Sequence, residues 1–126
     1  MNSKRKGSQG EREFSKFCRS RGYDARRGQQ FSGANGDADV IGLPNVHIEV
    51  KRVERLNIED AMFQSRKDSK LGEIPIVAHR KNNHKWLVTM DAAQWFILYR
   101  EFELSLPAGL TGREMALYIE KMKEEA

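Results

Sequence analysis

Acidic residues and a Glu-Val-Lys triplet occur close together in one short segment, residues 36–51. Asp37 and Asp39 begin this segment, and Glu49 and Lys51 end it. Side chains alternate across a β-strand, so Glu49 and Lys51 share one face of their strand, as do Asp37 and Asp39 of theirs. Carboxylates set among β-branched residues usually need a partner or a metal ion. The spacing favours a divalent-metal site on a hairpin, with surface ion pairs and ordinary turn residues as the plainer alternatives.

A helix is predicted over about residues 9–21, ahead of this hairpin. Ser8 is its expected N-cap, Glu11 stands in capping-box spacing, and Gly22 ends it. Residues 1–7 are then expected to form a flexible basic arm.

The apolar stripe of this first helix comprises Phe14, Phe17 and Cys18. On a helical wheel, Glu11 lies at the edge of the stripe, whereas Glu13 lies farther round towards solvent. Glu11 is therefore a third acid that can face the core side of its helix, in addition to any role in a capping box.

The remaining elements alternate in type. Before the hairpin, the sequence predicts a strand (23–27) and a polar loop (28–36). After it, the sequence predicts a helix capped by Asn57 (58–71), two strands (74–79 and 85–89) and two helices starting near Asp91 and Thr111. The helix after the hairpin is long enough to serve as a crossover between parallel strands. The expected fold is α/β, with a mixed central β-sheet flanked by helices.

The bulk composition narrows the class of protein. The chain has 126 residues, a length typical of one domain, and its single cysteine excludes an intramolecular disulfide. The sequence contains no long apolar run, so no membrane span is predicted, and a cytoplasmic protein is expected. We interpret the histidines as core or surface residues, because His47, His79 and His84 form no close ligand set in the sequence.

Positive charge is concentrated at the N-terminal end. Residues 1–36 hold nine Lys and Arg against three Asp and Glu, a net charge of +6 in a chain whose total is +4. Such a basic region favours a polyanionic partner, most often nucleic acid, although a well-solvated helix face would have the same composition. The candidate DNA contacts are Lys4, Arg5, Lys6, Arg26, Arg27, Gln30, Arg52, Arg55 and Lys67.

Several of these segments together resemble the PD-(D/E)xK nuclease superfamily, and within it archaeal-type Holliday junction resolvases and their phage-encoded relatives. The likeness spans about residues 4–96. It is carried by the string Arg5-Lys6-Gly7-Ser8-Gln9-Gly10-Glu11-Arg12-Glu13, by Asp37-Ala38-Asp39-Val40, by Ile48-Glu49-Val50-Lys51 and by Ile74-Pro75-Ile76-Val77. No proline precedes the acid, so the literal Pro-Asp pair is absent.

The resemblance implies roles for individual residues. Asp39 and Glu49 would be the main metal ligands, Glu11 the helix-borne acid beside the metal, and Lys51 the catalytic lysine. Ser32 and Gln64 match a catalytic serine and a crossover-helix glutamine more loosely, and Asp37 would be an outer acid. The main-chain carbonyl of Val50 is adjacent to Glu49 and can add an oxygen ligand.

The same resemblance implies a fold, an activity and partners. The fold would have a restriction-endonuclease-like core over about residues 8–103, with a C-terminal helical extension over about 104–126 in one nuclease domain. The activity would be Mg²⁺- or Mn²⁺-dependent cleavage of four-way DNA junctions, in the host cytoplasm if phage-encoded. Alternatives are a nickase or general endonuclease and a DNA-binding module without catalysis.

Cutting two opposed strands of a junction calls for two active sites, so a homodimer is expected. Apolar residues of the last helices can form its interface or simply pack in the core; they include Tyr99, Met115, Tyr118 and Met122.

Overall fold

The structure, a computed structural model, describes residues 3–28 and 38–126, with side chains from residue 7 onwards. The predictions for Gln30, Ser32 and Asp37, and for the side chains of residues 4–6, therefore lie outside the described residues. The chain divides into two compact units, Met1–Asp91 and Ala92–Ala126. The single-domain organisation expected from the sequence stays a prediction.

Nine helices and strands occur in the described ranges, in the order predicted from the sequence. They are α1 (Ser3–Ser20), β1 (Arg26–Arg27), β2 (Val40–Ile41), β3 (Val46–Arg52), α2 (Ile58–Asp68), β4 (Ile74–Arg80), β5 (Leu87–Met90), α3 (Ala92–Ser105) and α4 (Gly112–Glu125). No helix in these ranges is long and apolar enough to cross a membrane.

The five strands form one mixed sheet in the spatial order β1-β2-β3-β4-β5. Neighbouring strands are antiparallel except β3 and β4, which are parallel from the pair Val46 and Ile74 to the pair Arg52 and Arg80. Helix α2 makes the crossover between them, as parallel strands require. The α/β class, the mixed sheet and the parallel pair are thus confirmed.

Helix α1 is longer than predicted at its N-terminal end. It begins at Ser3 rather than near residue 9, so Ser8 lies inside the helix and the expected capping box with Glu11 is wrong. The preceding segment is rich in lysine and arginine, which are good helix formers, so the helix continues through it. The arm expected over residues 1–7 is helical from residue 3 onwards.

One face of the sheet packs against α1. Phe14 and Cys18 of α1 form a buried cluster with Ile48 and Val50 of β3. Phe17 was expected in this stripe, but it is 40% exposed, and its ring lies beneath the Arg21 guanidinium on the helix surface. Ser15 is buried instead, so the buried face of α1 lies farther from Phe17 and nearer to Ser15 than the apolar pattern indicates.

The opposite face of the sheet packs against α2. Ala61 and Met62 of that helix contact Val77 of β4 in a second buried cluster. Asn57 caps the helix by accepting a hydrogen bond from the backbone of Asp60, as predicted. The helix ends at Asp68, three residues earlier than expected.

Unit 92–126 contains α3 and α4. The capping box of Thr111 and Glu114 starts α4 as predicted. Asp91 immediately precedes α3, and its carboxylate accepts three hydrogen bonds from Arg66 of α2. Neither α3 nor α4 has a buried residue.

Candidate metal site

Asp39 is held by hydrogen bonds on both sides at the start of β2. Its backbone N–H donates to the Ile48 carbonyl at 2.9 Å, and its carbonyl accepts from Gly28 at 2.9 Å. Its Oδ2 accepts the backbone N–H of Val50 at 2.8 Å. The side chain thus satisfies a backbone donor of β3, and this bond fixes the carboxylate beside Glu49.

Asp39 and Glu49 form a close pair of carboxyl groups. They share a side-chain hydrogen bond, and Glu11 lies near enough to add its charge. Burial raises the pKa of Asp39, the neighbouring charge of Glu49 raises it further, and the net value is about 7 despite the bond from Val50. Glu49 and Glu11 thus both act on the Asp39 carboxyl group, while the role of the three acids as metal ligands stays a prediction.

Glu11 reaches this pair because α1 approaches β3 closely. A Cβ atom added at Gly10 would lie 2.6 Å from the Cβ of Arg52, so only glycine permits this packing distance. Glu11 itself is buried, and its Oε1 accepts a 3.4 Å hydrogen bond from Arg27. The predicted inward position of Glu11 is correct, although the helix around it is longer than expected.

Glu13 was expected to turn towards solvent, but it anchors α1 to the sheet. Its carboxylate accepts hydrogen bonds from Arg52 at 3.3 Å and from Arg80 at 2.9 Å. These two arginines end the parallel strands β3 and β4, so the charge of Glu13 fixes the helix against the strand ends.

Lys51 follows Glu49 on the same face of β3 and is partly exposed. It borders an open cavity of about 300 Å³ together with Asp60 and Gln64 of α2. It makes no hydrogen bond or ion pair with any described residue, so its ammonium group is available to a ligand. Gln64 donates to Asp68 at 3.0 Å and reaches this cavity rather than the carboxylates.

The carboxylates of Glu11 on α1, Asp39 just before β2 and Glu49 on β3 are hard oxygen donors, the type that Mg²⁺ and Mn²⁺ prefer. Burial and the charge of Glu49 both raise the pKa of Asp39, so its ionised form is disfavoured here without a cation. The donor set therefore fits a divalent cation. The ligands would be Asp39, Glu49 and Glu11, with the Val50 carbonyl as the further predicted donor.

His47 is a buried residue of this site whose importance the sequence interpretation missed. Only 2% of it is exposed, and its Nε2 lies 2.8 Å from Oε1 of Glu49. Burial lowers the pKa of His47, but the hydrogen bond and charge of Glu49 and the charges of Glu73 and Asp68 outweigh it, so the pKa is raised. The signal was present in the sequence, because residues 47, 49 and 51 share one strand face.

His47, Glu49 and Asp68 form a second group of possible metal ligands, whose donor atoms all lie within 4.8 Å of one another. Glu49 belongs to both constellations. The side chain of Asp68 also accepts the hydrogen bond from Gln64.

The predicted phosphate contacts differ in their accessibility. Arg26, Arg55 and Lys67 are exposed, and Arg27 is 42% exposed beside Glu11. Arg52 is buried, and it donates to Glu13 and, at 2.8 Å, to Asn82. The position of Arg52 speaks against a phosphate contact, because its face of β3 lies under α1.

Several basic residues that were not among the candidates line a cavity of about 420 Å³ next to the Lys51 cavity. The segment after β3 and the β4–β5 connection form it, and Arg55 borders both cavities. Arg55, Lys81 and Lys85 make no ion pair with a described residue. Lys81 and Lys85 could have been found from their place in a polar turn between two strands.

An α/β fold with clustered carboxylates and a nearby lysine on its central parallel strand defines a candidate metal-dependent site. No protein-family model matches the chain, and no curated protein matches it in sequence. Among solved structures, the chain is similar to Hjc of Archaeoglobus fulgidus, described as a Holliday junction resolvase from an archaeal hyperthermophile. That similarity has 20% sequence identity and a TM-score of 0.48, and it covers 68% of this chain and 72% of that chain.

Proposed function

We propose that this protein is a metal-dependent endonuclease that hydrolyses phosphodiester bonds in branched DNA, with four-way junctions as its preferred substrate. The observation that carries the proposal is the carboxylate pair of Asp39 and Glu49, with Glu11 beside it and Lys51 on the same strand face. Hydrolysis of a phosphodiester needs an activated water and relief of the phosphate's negative charge, and this set of residues supplies groups for both.

The carboxylates would hold one or more Mg²⁺ or Mn²⁺ ions. A divalent cation held by these residues would supply an activated water and charge neutralisation at the phosphate. Asp39 must be ionised to bind it, and the backbone N–H of Val50 favours the ionised form by donating to Oδ2. Glu11 arrives from a helix and the other two acids from strands, so the ligands are fixed by separate elements.

Lys51 would act on the attacking water or on the phosphate. Its side chain lies two residues beyond Glu49 on the same face, and it has no partner among the described residues. An ammonium group in this position can orient the nucleophile and stabilise the charge that develops on the phosphate oxygens. Gln64 borders the same cavity and can contact the DNA strand there.

The exposed basic residues would bind the DNA backbone on either side of the carboxylates. Arg26 and Arg27 form β1, and Arg27 donates a hydrogen bond to Glu11. Arg55, Lys81 and Lys85 extend from the Lys51 cavity towards the β4–β5 connection. Contacts of this kind position a duplex without reading its sequence.

The choice of a four-way junction rests on the sequence resemblance to junction resolvases. Two opposed cuts need two sites, so we propose a homodimer. Helix α3 exposes a run of large apolar side chains that a second copy can cover, comprising Trp95, Phe96, Ile97 and Leu98.

The test is incubation with labelled four-way junction, linear duplex and single strand, each in Mg²⁺ and in EDTA. Paired cuts in the junction alone, and only with metal, would support the proposal. Equal cutting of linear duplex would favour a general endonuclease or nickase. Binding without cutting under any metal condition would favour a DNA-binding module.

A further inference from the structure

We propose that His47 is a positioning residue that holds the Glu49 carboxylate in its ligand orientation towards Asp39. The inference rests on the proposed role of Glu49 as a metal ligand. It assigns a function to a buried polar side chain that the proposed mechanism does not otherwise use.

The contact between His47 and Glu49 is short and shielded from water. Nε2 and Oε1 lie 2.8 Å apart, and the two side chains are only 2% and 7% exposed. An ionised carboxylate is solely an acceptor, so the hydrogen of this bond must be on Nε2. The ring therefore donates to one oxygen of Glu49.

Two further acids lie near the ring. Nδ1 lies 3.8 Å from a carboxylate oxygen of Glu73, and the Asp68 carboxylate is close by. The short contact of Nε2 with Glu49 is a hydrogen bond, whereas the 3.8 Å contact of Nδ1 with Glu73 is longer than one, so Glu49 is the closer partner of the ring.

Glu49 needs such a restraint when both carboxyl groups are ionised, as metal binding requires, because Asp39 then repels it. Asp39 is itself an acid, and the charge of Glu49 disfavours its ionisation. Without a donor on its far side, the Glu49 side chain is free to turn away from Asp39. The hydrogen bond from His47 opposes this rotation, in the way that outer hydrogen bonds orient metal-ligating carboxylates.

The alternative is that His47 is itself a ligand, together with Glu49 and Asp68. The 2.8 Å contact is a hydrogen-bond distance, and the Asp68 carboxylate already accepts from Gln64. The hydrogen bond between His47 and Glu49 is the contact that the positioning role needs, and the experiment separates the two roles.

The experiment is calorimetric titration of Mn²⁺ into the wild type and into His47→Leu, His47→Gln and His47→Asn. Glutamine can place an amide N–H near the position of Nε2, whereas asparagine is one methylene shorter and does not reach Glu49. We expect Mn²⁺ affinity to fall about 10- to 100-fold in the Leu and Asn variants and to be largely retained in the Gln variant. The matched control is His79→Leu, a half-buried histidine of β4 bonded to Thr89, which should leave the affinity unchanged.

Thermal unfolding of each variant separates loss of fold from loss of affinity. If the Leu variant does not fold, the Gln and Asn variants, which both carry polar side chains, still test whether a donor that reaches Glu49 is needed for Mn²⁺ affinity. Wild-type affinity in the Asn variant would overturn the inference. A directly bonded nitrogen in the pulsed electron-spin spectrum of bound Mn²⁺, lost in His47→Gln, would also overturn it, because His47 would then be a ligand.

Junction cleavage measured in parallel distinguishes the inference from the proposed function. Weakened Mn²⁺ binding in the Asn variant of a protein that never cuts DNA would support the inference and reject the endonuclease. Active junction cleavage by the wild type, with unchanged Mn²⁺ binding in the His47 variants, would support the endonuclease and reject the positioning role of His47. A wild type that binds no Mn²⁺ would overturn the positioning role.

Discussion

Asp39 bonds through its side chain to the backbone of Val50 at 2.8 Å, and this hydrogen bond holds its carboxylate beside the strand that carries Glu49. Asp39 precedes β2, and Glu49 precedes Val50 on β3. The bond holds the Asp39 carboxylate near Glu49 even though their charges repel. This arrangement stores an unfavourable interaction that a cation would relieve.

Replacement of Asp39 by asparagine should change how stability depends on pH. The pKa of Asp39 is raised from 3.8 to about 7 in the folded protein, so the folded state binds a proton that the unfolded state has released. The contribution of protonated Asp39 to folding stability is therefore fully present below about pH 4 and is lost as pH rises through 7. In EDTA, Asp39→Asn should be more stable than the wild type at pH 8, by about 1–3 kcal/mol, and similar to it near pH 4.

Urea unfolding across this pH range measures the difference, and the exposed Asp24→Asn is the matched control. Addition of Mg²⁺ at pH 8 should stabilise the wild type and not Asp39→Asn. Parallel pH profiles for the wild type and Asp39→Asn would contradict the placement of Asp39 against Glu49.

Gly10→Ala should push α1 away from β3. The added Cβ would meet the Cβ of Arg52 at 2.6 Å, close to the backbone, where the neighbour cannot simply turn aside. We expect a loss of about 1–3 kcal/mol in unfolding free energy and weaker Mn²⁺ binding, since Glu11 moves with the helix. Chemical denaturation and metal titration measure these effects.

Gly7→Ala, in the same helix, is the control for this substitution. No atom lies within 4 Å of the position that a Cβ would take there. Alanine favours helix over glycine, so this variant should gain roughly 0.5–1 kcal/mol. Equal effects of the two substitutions would argue against a tight contact between α1 and β3.

Reversal of charge at Lys81 and Lys85 should weaken DNA binding without unfolding the protein. Both are exposed and border the basic cavity next to Arg55. We expect the double Lys→Glu variant to bind DNA at least about tenfold more weakly, with a shallower salt dependence, because each lost phosphate contact lowers the slope by about 0.9.

Fluorescence anisotropy with a labelled junction at several salt concentrations measures this change. The double Lys→Glu variant at Lys121 and Lys123 of α4 makes the same change in net charge and serves as control. A similar loss of affinity in both variants would indicate that net charge matters and that the cavity does not.

The proposed homodimer predicts that charged residues on α3 shift the protein towards a monomer. Trp95 and Leu98 are about half exposed, and Trp95 stacks on Tyr99 within the same helix. Leu98→Glu should therefore weaken dimerisation with less damage to the aromatic cluster than Trp95→Glu. Sedimentation equilibrium measures it, with exposed Arg100→Glu as control, and a monomeric wild type would reject the dimer.

Local sequence signals predicted most of the fold. The caps at Asn57 and Thr111 and the parallel pairing of β3 with β4 follow from residue chemistry and from the length of the crossover. Ser8 was wrongly predicted as the N-cap because a serine three residues before a glutamate is typical of a capping box. The helix-forming residues upstream extend α1 to Ser3. Helix ends are decided by such competition between neighbouring residues.

The candidate site was predictable where alternation along a strand or helix decides which side a residue faces. Glu11 is buried as its position on the wheel indicated. The partner of His47, Glu49, lies two residues away on the same strand face, so that contact was open to prediction. Arg52 was misjudged because its partners, Glu13 and Asn82, come from distant parts of the chain. Such long-range contacts leave no local pattern in a single sequence.

The most direct test of the metal-dependent cleavage is single-turnover hydrolysis of a labelled four-way junction by the wild type, Glu49→Gln and Lys51→Ala. The wild type should cut in Mg²⁺ and not in EDTA. Each variant should lose cleavage while it still binds the junction, because these side chains act on the metal and the water rather than on the DNA backbone. Cleavage at the wild-type rate by either variant, or by the wild type in EDTA, would contradict the proposed site.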